Sequence, residues 1–349
     1  MNPTVLLDGK PVGSGRPPYV IAEISGNHNG SLDRAKAIIT AAAENGADAV
    51  KLQTYTADTM TIRSDRPEFK IKGGLWDGYT LHDLYEWAHT PYEWHGELFA
   101  HAKACGITCI STPFDETAVD LLESLNAPFY KVASFEMTDS PLVARIAQTG
   151  KPMVISTGMG TRDEIARALA TARKHGSGQI VLLHCISGYP TPIGEANLAE
   201  IPDLAKEFDC LVGLSDHTLG NTAAIVSVGL GAVLIEKHFT LARADGGPDA
   251  EFSMEPPDLA ALVRDSRDAF AALGSGGVKR TAFEEANTIF RRSIYVVADV
   301  KKGEPFTRAN LRRIRPGKGL TPERFDEVLT RRAAADIEAG TPLAAEHLA

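Results

Sequence analysis

Two histidines occupy equivalent places in the chain, each just after a short apolar run. His217 follows the run 210–214, and His238 follows the run 232–235. Between the runs lies a pattern of small residues, 222–230, which is long enough for one crossover helix. A strand–helix–strand unit brings the carboxyl ends of parallel strands to one edge, where two imidazoles could share a metal ion or a ligand. Either histidine alone could instead only hydrogen-bond a loop.

Two lysines lie in strands that are otherwise apolar, where an ammonium group is costly without a partner. Lys51 and Lys131 could each pair with a carboxylate, Glu23 or Glu136. Two lysines with several hydroxyl groups at neighbouring strand ends fit an anion carrying a carboxylate and a phosphate better. The polar residues at the predicted strand ends are Glu23, Lys51, Gln53, Ser111, Thr112, Lys131, Ser134, Glu136, Ser156, Thr157, His184, Ser187, Tyr189, Ser215, Asp216, His217, Glu236 and His238.

Two further segments have alternative readings. The run Ser156-Thr-Gly-Met-Gly-Thr161 resembles a phosphate loop, but such glycine-rich turns are also common for steric reasons, and Thr161 suits the N-cap of a helix from Arg162. Residues 57–89, rich in Gly, Trp and Tyr, are predicted to form a long loop over the mouth of the site. Its aromatic side chains could stack on a sugar or build the core of a lid.

Strand and helix patterns alternate along most of the chain and position these residues. Eight apolar runs, each followed by a helical pattern, predict a (β/α)8 TIM barrel. The predicted strands are 19–24, 49–54, 107–112, 129–133, 153–157, 180–185, 210–214 and 232–235. A hairpin within residues 1–18 is expected to cap the barrel. After about Phe290 the helical rhythm gives way to short mixed elements, which predicts a small second domain.

Composition narrows the class of protein. The net charge of −9 is spread without acidic or basic blocks, which argues against nucleic acid as a partner. The four cysteines form no Cys-x-x-Cys pair and are expected to be reduced core residues. No apolar run approaches the roughly 18 residues of a membrane span, and no signal-peptide pattern opens the chain. We therefore expect a cytoplasmic protein that does not enter a membrane.

Motifs along nearly the whole chain resemble those of the sialic acid synthase family, the phosphoenolpyruvate-dependent synthases of nonulosonic acids. The matching runs are Ile21-Ala-Glu-Ile-Ser25, Gly46-Ala-Asp-Ala-Val-Lys-Leu-Gln-Thr54, Ser111-Thr-Pro-Phe-Asp115, Lys131-Val-Ala-Ser-Phe-Glu136, Leu183-His-Cys185, Tyr189-Pro-Thr-Pro192, Gly213-Leu-Ser-Asp-His-Thr218 and Glu236-Lys-His-Phe-Thr240. The tail resembles the family's antifreeze-like (SAF) domain. The resemblance implies a catalytic barrel over residues 1–280, a linker over 281–289 and a SAF domain over 290–349.

The resemblance also implies a reaction. Family members condense phosphoenolpyruvate with the open-chain aldehyde of an N-acetylated amino sugar and release phosphate. The runs Ala22-Glu-Ile-Ser-Gly-Asn-His-Asn29 and Gly74-Leu-Trp-Asp-Gly-Tyr79 look most like the pseudaminic acid synthase branch, whose sugar is 2,4-diacetamido-2,4,6-trideoxy-β-L-altropyranose. The alternatives are a sialic (N-acetylneuraminate) or legionaminate synthase, or a non-catalytic sugar-binding barrel protein. A Schiff-base aldolase would need a lysine without anion-binding neighbours.

Roles follow from the same resemblance, residue by residue. His217 and His238 would hold a divalent manganese, magnesium or cobalt ion, while Glu23 and Glu136 would manage protons and water. The predicted substrate-binding residues are Lys51, Gln53, Thr112, Lys131, Ser134, Ser156, Ser187, Tyr189, Ser215, Asp249 and Arg315. Ser187 and the segment 71–84 depart from the sialic acid synthase pattern, so N-acetylmannosamine is not the expected sugar. Arg315 would reach the barrel of a second subunit in a domain-swapped homodimer.

Overall fold

The computed structural model describes residues 4–349. The chain forms two compact units, the first ending at Gly274 and the second spanning Ser275–Ala349. In the described range no helix is both long and apolar enough to cross a membrane.

The first unit is built on a closed barrel of eight parallel strands, which confirms the predicted fold class. Each barrel strand pairs with the next one along the chain, and the last strand, Leu234–His238, closes the barrel by pairing with the first, Tyr19–Glu23. A separate antiparallel pair precedes the barrel, and the predicted N-terminal hairpin is thus confirmed over residues 4–13, although residues 1–3 of that prediction lie outside the described range. The strands are β1 Thr4–Leu7, β2 Lys10–Gly13, β3 Tyr19–Glu23, β4 Ala49–Thr54, β5 Thr108–Pro113, β6 Tyr130–Val132, β7 Met153–Ser156, β8 Ile180–Cys185, β9 Leu211–Asp216 and β10 Leu234–His238.

Along each strand, successive side chains point alternately into the barrel and outward to the helices. Residues such as Ile21, Ile110 and Val154 pack together inside the barrel. Their neighbours Val20 and Cys109 pack outward against the helices. The hairpin residues Val5, Leu7 and Val12 join the interior cluster at the first residues of the strands, so the hairpin closes the amino end of the barrel. Toward the carboxyl end the inward positions become polar.

Helices cover the outside of the barrel. Side-chain caps begin several of them: Asp115 accepts hydrogen bonds from two backbone amides, and Thr161, the predicted N-cap, forms a capping box with Glu164. The helices of the first unit are α1 Leu32–Glu44, α2 Ala57–Met60, α3 Leu81–Ala88, α4 His95–Ala104, α5 Glu116–Ser124, α6 Ser140–Ala147, α7 Arg162–His175, α8 Glu200–Phe208, α9 Thr222–Gly229 and α10 Pro256–Leu273.

The segment 57–89 is more ordered than a loop, which corrects the sequence-based prediction. It contains α2 and α3, and each begins at a threonine, Thr56 or Thr80, whose hydroxyl accepts a backbone amide hydrogen bond. Between these helices, Lys70 and Thr80 form an isolated antiparallel β-bridge, which brings the two ends of the segment 70–80 together. Short helices with side-chain caps have no long apolar period, so the pattern did not reveal them.

The second unit is a small mixed fold with its own apolar core. It contains the helices α11 Ala282–Glu285 and α12 Phe325–Val328 and the antiparallel strands β11 Ser293–Val296 and β12 Leu311–Ile314. Its core includes Ile294, Val296, Phe306, Val328 and Leu343.

Candidate active site

Charged side chains fill the inward positions at the carboxyl end of the barrel. The strand register places Lys51 beside Glu23, and Glu236 beside Ser215. All are buried. We call the group at this depth the floor, and it consists of Glu23, Lys51, Thr112, Lys131, Ser215 and Glu236.

The floor is one connected network. The Lys51 ammonium lies 2.8 Å from Glu23 Oε2 and 3.2 Å from Glu236 Oε1, and it donates to Thr112 Oγ1 at 3.2 Å. Glu236 Oε1 also accepts from Ser215 Oγ at 3.1 Å and lies 3.7 Å from Lys131 Nζ. Two cations and two hydroxyl groups therefore converge, as required for binding an anion.

Burial shapes the ionisation of the floor. It raises the pKa of Glu23 to about 7, against the opposing charge of Lys51. Burial also lowers the pKa of Lys131, although Glu236 opposes that shift. Burial alone would raise the pKa of Glu236, but Lys131 and Lys51 hold it below its usual range. Glu23 is thus the floor carboxyl that gains and loses a proton near neutral pH.

The two histidines approach each other at the mouth of the barrel, with ring centroids 5.4 Å apart. His217 Nδ1 is 2.9 Å from the carbonyl of Ile186. Because a carbonyl only accepts, this Nδ1 carries a proton, and Nε2 is the ring nitrogen left to face a ligand. His238 is buried, its Nδ1 has no hydrogen-bond partner, and Asp249 Oδ2 lies 3.7 Å away.

This donor set fits a divalent ion that keeps open coordination positions. Burial, followed by the nearby His217, lowers the pKa of His238, so its imidazole is neutral and able to ligate. Among the described residues no group of three or more His, Cys, Asp or Glu forms a complete metal cage. A divalent ion held by two imidazoles alone would keep coordination positions for water and a substrate oxygen.

Above the floor lies a cavity of about 500 Å³. Its lining, which we call the wall, comes mainly from the connections after β4, β6, β8 and β10. The wall consists of Gln53, Tyr55, Met60, Ile71, Trp76, Leu81, Leu84, Tyr85, Ala88, Phe114, Ala133, Phe135, Glu136, Ser187, Tyr189, His238, Pro248 and Asp249. Most of these side chains are apolar or aromatic, with a few polar groups between them, which is typical of a site for a small organic ligand.

Aromatic rings connect the wall to the histidines. Tyr189 lies 4.4 Å from His217 and 5.7 Å from Trp76, measured between ring centroids. Trp76 Nε1 donates to the carbonyl of Pro248 at 2.8 Å, which fastens the segment after β4 to the loop after β10. These contacts connect the wall segments after β4, β8 and β10 to one another above the two histidines.

Glu136 is the ionisable group of the wall with no hydrogen-bond partner for one buried oxygen, Oε2. Burial raises its pKa to about 7. Glu23 and Glu136 therefore share a pKa near neutrality but lie in different surroundings, one among cations and the other in the cavity.

The turn that follows Ser156 packs against serines from the two neighbouring strand ends, Ser134 and Ser187. A methyl group on Gly158 would lie 2.3 Å from Ser134 Cβ and 2.9 Å from Ser187 Oγ, so the turn after β7 packs closely on both. The buried hydroxyls of Ser156 and Ser187 have no hydrogen-bond partner among the described residues. A built site with unsatisfied hydroxyls is ready for ligand oxygens.

Some predicted strand-end residues lie elsewhere. His184 faces outward and hydrogen-bonds the carbonyl of Ala196, and Ser111 pairs with Thr54 on the outer face of the sheet. Asp216 also leaves the interior and pairs with Lys237. Arg315 belongs to the second unit, where its side chain is exposed directly after β12.

Glu236 was not among the predicted catalytic or substrate-binding residues, yet it is the centre of the floor. The signal that could have found it is the period of two along β10, which directs Leu234, Glu236 and His238 inward and Lys237 outward. The wall residues Met60, Ile71 and Leu84 were missed too. They come from connections, where no period indicates direction.

Comparisons with known proteins agree with this geometry. Residues 38–278 match the NeuB family, and residues 291–349 match the SAF domain. The chain belongs to the NeuB family. This NeuB-family chain is 42% identical to a pseudaminic acid synthase of Campylobacter jejuni over 93% of its own length and 95% of the relative's.

The chain is also similar to two other nonulosonic acid synthases, one by sequence and one by structure. An N,N′-diacetyllegionaminic acid synthase of Legionella pneumophila is 38% identical over 97% of each chain. Among solved structures, the N-acetylneuraminic acid synthetase of Leptospira borgpetersenii superposes with a TM-score of 0.74 at 29% identity, covering 82% of this chain and 95% of that one. The family resemblance inferred from the motifs is confirmed.

Proposed function

We propose that this protein is a pseudaminic acid synthase. It condenses phosphoenolpyruvate with 2,4-diacetamido-2,4,6-trideoxy-β-L-altropyranose and water to give pseudaminic acid and phosphate. The observation that carries the proposal is the layered site: a floor in which two lysines converge with hydroxyl and carboxyl groups, two facing imidazoles, and a largely apolar wall above them. Membership of the NeuB family supplies the reaction class.

Phosphoenolpyruvate binds at the floor. Lys51 and Lys131 neutralise its carboxylate and phosphate, and Thr112 and Ser215 donate hydrogen bonds to them. Ser134 and Ser156 complete the set from the neighbouring strand ends. Before binding, the lysines pair with Glu23 and Glu236, so the arriving anion exchanges one set of charge partners for another.

His217 and His238 would hold a divalent ion, either manganese, magnesium or cobalt. Such an ion would supply Lewis-acid polarisation of the sugar aldehyde, the group that the methylene carbon of phosphoenolpyruvate attacks. Tyr189 orients the His217 ring by contact, and the Ile186 carbonyl fixes its tautomer.

Proton transfers fall to the two carboxyl groups with pKa values of about 7, Glu23 and Glu136. The new carbon–carbon bond turns the aldehyde oxygen into a hydroxyl that needs a proton, and water must lose one when it adds at the former enol carbon before phosphate leaves. A group that ionises near the working pH suits both steps. Glu136 faces the sugar cavity, while Glu23 lies against Lys51.

The wall supports a deoxygenated, doubly acetylated sugar. Met60, Ile71, Leu84 and Phe135 present apolar surface, which matches a C6 methyl group and two acetamido methyl groups better than the free hydroxyls of N-acetylmannosamine. Gln53, Ser187 and Asp249 offer the polar contacts. The diacetamido mannose derivative used for legionaminic acid has the same groups in another configuration, and here the higher identity to the pseudaminic acid synthase favours the altrose sugar.

We also propose a division into a catalytic barrel over 1–280, a linker over 281–289 and a SAF domain over 290–349, working as a domain-swapped homodimer in the cytoplasm, where phosphoenolpyruvate is made. Exposed apolar side chains on the loops after β6, β7, β8 and β9 support a partner at the barrel mouth: Phe135, Met159, Ile193 and Leu219. The exposed Arg315 of a second copy would reach the sugar there.

The test is phosphate release from phosphoenolpyruvate with Mn²⁺ and each of three sugars: the diacetamido altrose, N-acetylmannosamine and the diacetamido mannose. We expect release with the altrose derivative. Release with another sugar alone would keep the chemistry and replace the sugar. No release with any sugar, despite Mn²⁺ binding, would favour a sugar-binding barrel without catalysis.

A further inference from the structure

Lys237 lies between the floor residue Glu236 and the proposed metal ligand His238, but it points the opposite way. Alternation along β10 directs it to the outer face of the sheet, where it is 1% exposed. Its ammonium lies 2.8 Å from Asp216 Oδ2 and also donates to the carbonyl of Thr218. A charged side chain is thus buried in the layer between barrel and helices.

Asp216 connects Lys237 to the backbone on both sides of His217. Its Oδ1 accepts a hydrogen bond from the Thr218 amide at 2.9 Å, while its Oδ2 receives Lys237. The residues immediately before and after His217 are therefore both held by one lysine, and that lysine is the residue immediately before His238. We call this arrangement of Asp216, Thr218 and Lys237 the clamp.

The surroundings of the clamp make its presence costly. Leu214 and Ile235, which also face outward on β9 and β10, belong to an apolar cluster with Ala224 and Val228 of α9. In such surroundings a buried ion pair is often no more stabilising than apolar residues of the same volume. Folding stability alone is thus a poor reason for a charge pair at this place, whereas geometry is a good one.

We propose that Lys237 and Asp216 are positioning residues that set the distance and orientation of the two imidazoles. The proposal rests on the metal site proposed above. The clamp joins the ends of β9 and β10 from outside the barrel, while the His217 and His238 rings face each other inside, 5.4 Å apart. Slippage of one strand end would move one ring relative to the other, and metal affinity is sensitive to such outer supports.

The other contacts of the two histidines connect each of them to a different neighbouring element. The Ile186 carbonyl fixes the ring of His217, and the Thr191 amide donates to the His217 carbonyl at 3.0 Å, but both belong to the loop after β8. On the other side, the backbone of His238 and Phe239 bonds to Met254 and Glu23. Between β9 and β10 the backbone ladder reaches Asp216 and Lys237, and two side-chain bridges cross it. Ser215 donates to Glu236 inside the barrel, while Lys237 reaches Asp216 and Thr218 on the outer face and so holds the sequence neighbours of both histidines.

The test removes the whole pair, so that no single charge stays buried. In the Lys237→Met/Asp216→Leu variant we expect a folded protein, judged by circular dichroism and thermal unfolding, whose Mn²⁺ affinity measured by electron paramagnetic resonance is about 10- to 100-fold weaker. Wild-type Mn²⁺ affinity in this folded variant would overturn the proposal.

A second variant serves if the first does not fold. Asp216→Glu keeps both charges and shifts the carboxylate by one methylene, so a positioning role predicts about tenfold weaker Mn²⁺ binding, and an unchanged affinity would overturn it. The matched control is Lys151→Met/Glu123→Leu, which removes a half-buried pair elsewhere on the barrel and is expected to leave Mn²⁺ binding unchanged. His217→Ala separates the two proposals, because wild-type Mn²⁺ binding in that variant would refute the metal site itself.

Discussion

The floor and the wall of this site are built by different means. Floor residues stand on strands, and each is held by at least one charged or hydroxyl neighbour, as Lys51 is by Glu23, Glu236 and Thr112. Wall residues stand mostly on connections and make the cavity through apolar surface, with Trp76 and Pro248 linked by one hydrogen bond. We therefore propose that the strand-borne floor carries the chemistry common to the family and that the wall, built mostly on connections, selects the sugar.

Removing a charge from the floor network should have the largest effect on folding stability and on activity. Lys51→Met leaves Glu23 and Glu236 together without their shared cation, and we expect a loss of about 3–5 kcal/mol in the free energy of unfolding together with loss of phosphate release. The control Lys10→Met removes a pair in which the lysine side chain is 52% exposed and Asp48 is 20% exposed, and it should cost no more than about 1 kcal/mol. Denaturant titration compares them, and equal losses would contradict a networked floor.

The histidines lie where floor and wall meet, so their loss should affect chemistry rather than folding. For His217→Ala or His238→Ala we expect turnover to fall by about 10²–10³-fold, the scale for losing one group that stabilises developing charge, with the unfolding temperature little changed. Turnover is measured with and without added Mn²⁺ after chelation and dialysis. Normal activity of either variant after chelation would contradict the metal assignment.

The wall residue Glu136 should make the stability of the protein depend on pH. Its pKa is about 7 in the folded chain against an ordinary 4.5, so the folded state favours the protonated form. The stability tied to this protonation is present below pH 4.5 and is lost as pH rises through 7. Glu136→Gln should therefore stabilise the protein at pH 8 by up to about 3 kcal/mol and have little effect at pH 4. Thermal unfolding at both pH values checks this, and equal effects at both would contradict it.

Arg315 tests whether a second copy completes the wall. Arg315→Ala should raise the Michaelis constant for the sugar by about tenfold or more, the scale of one charged hydrogen bond, while that for phosphoenolpyruvate stays the same. Arg312→Ala, three residues away and also exposed, is the matched control. Steady-state kinetics with each substrate varied gives both constants. An unchanged constant for the sugar would remove Arg315 from the site.

The smallest effect on activity is expected from loss of the hydrogen bond between Trp76 and Pro248, which connects two segments of the wall. Trp76→Phe keeps an aromatic ring near Tyr189 but loses the hydrogen bond to the Pro248 carbonyl. We expect the Michaelis constant for the sugar to rise about fivefold, equivalent to about 1 kcal/mol, without change for phosphoenolpyruvate. An equal rise for both substrates would mean that floor and wall are not independent.

The sequence predicted the floor better than the wall, and the reason is periodicity. In a strand, alternate residues share a face, so Lys51 and Lys131 in apolar strands already indicated a polar interior. The same rule applied to β10 would have separated Glu236 from Lys237. No such rule exists for residues 57–89, where α3 depends on a cap at Thr80 and on contacts made only after folding.

The hairpin of β1 and β2 closes the amino end of the barrel, and this has a kinetic consequence. Substrates and products must share a single entrance at the other end. Lys51 lies two residues before the wall residue Gln53 on the same strand, about 7 Å deeper. In the proposed arrangement, with phosphoenolpyruvate at the floor and the amino sugar at the wall, the deeper substrate has to arrive first. A sugar that enters an empty site blocks the way, so excess sugar should inhibit turnover when phosphoenolpyruvate is scarce.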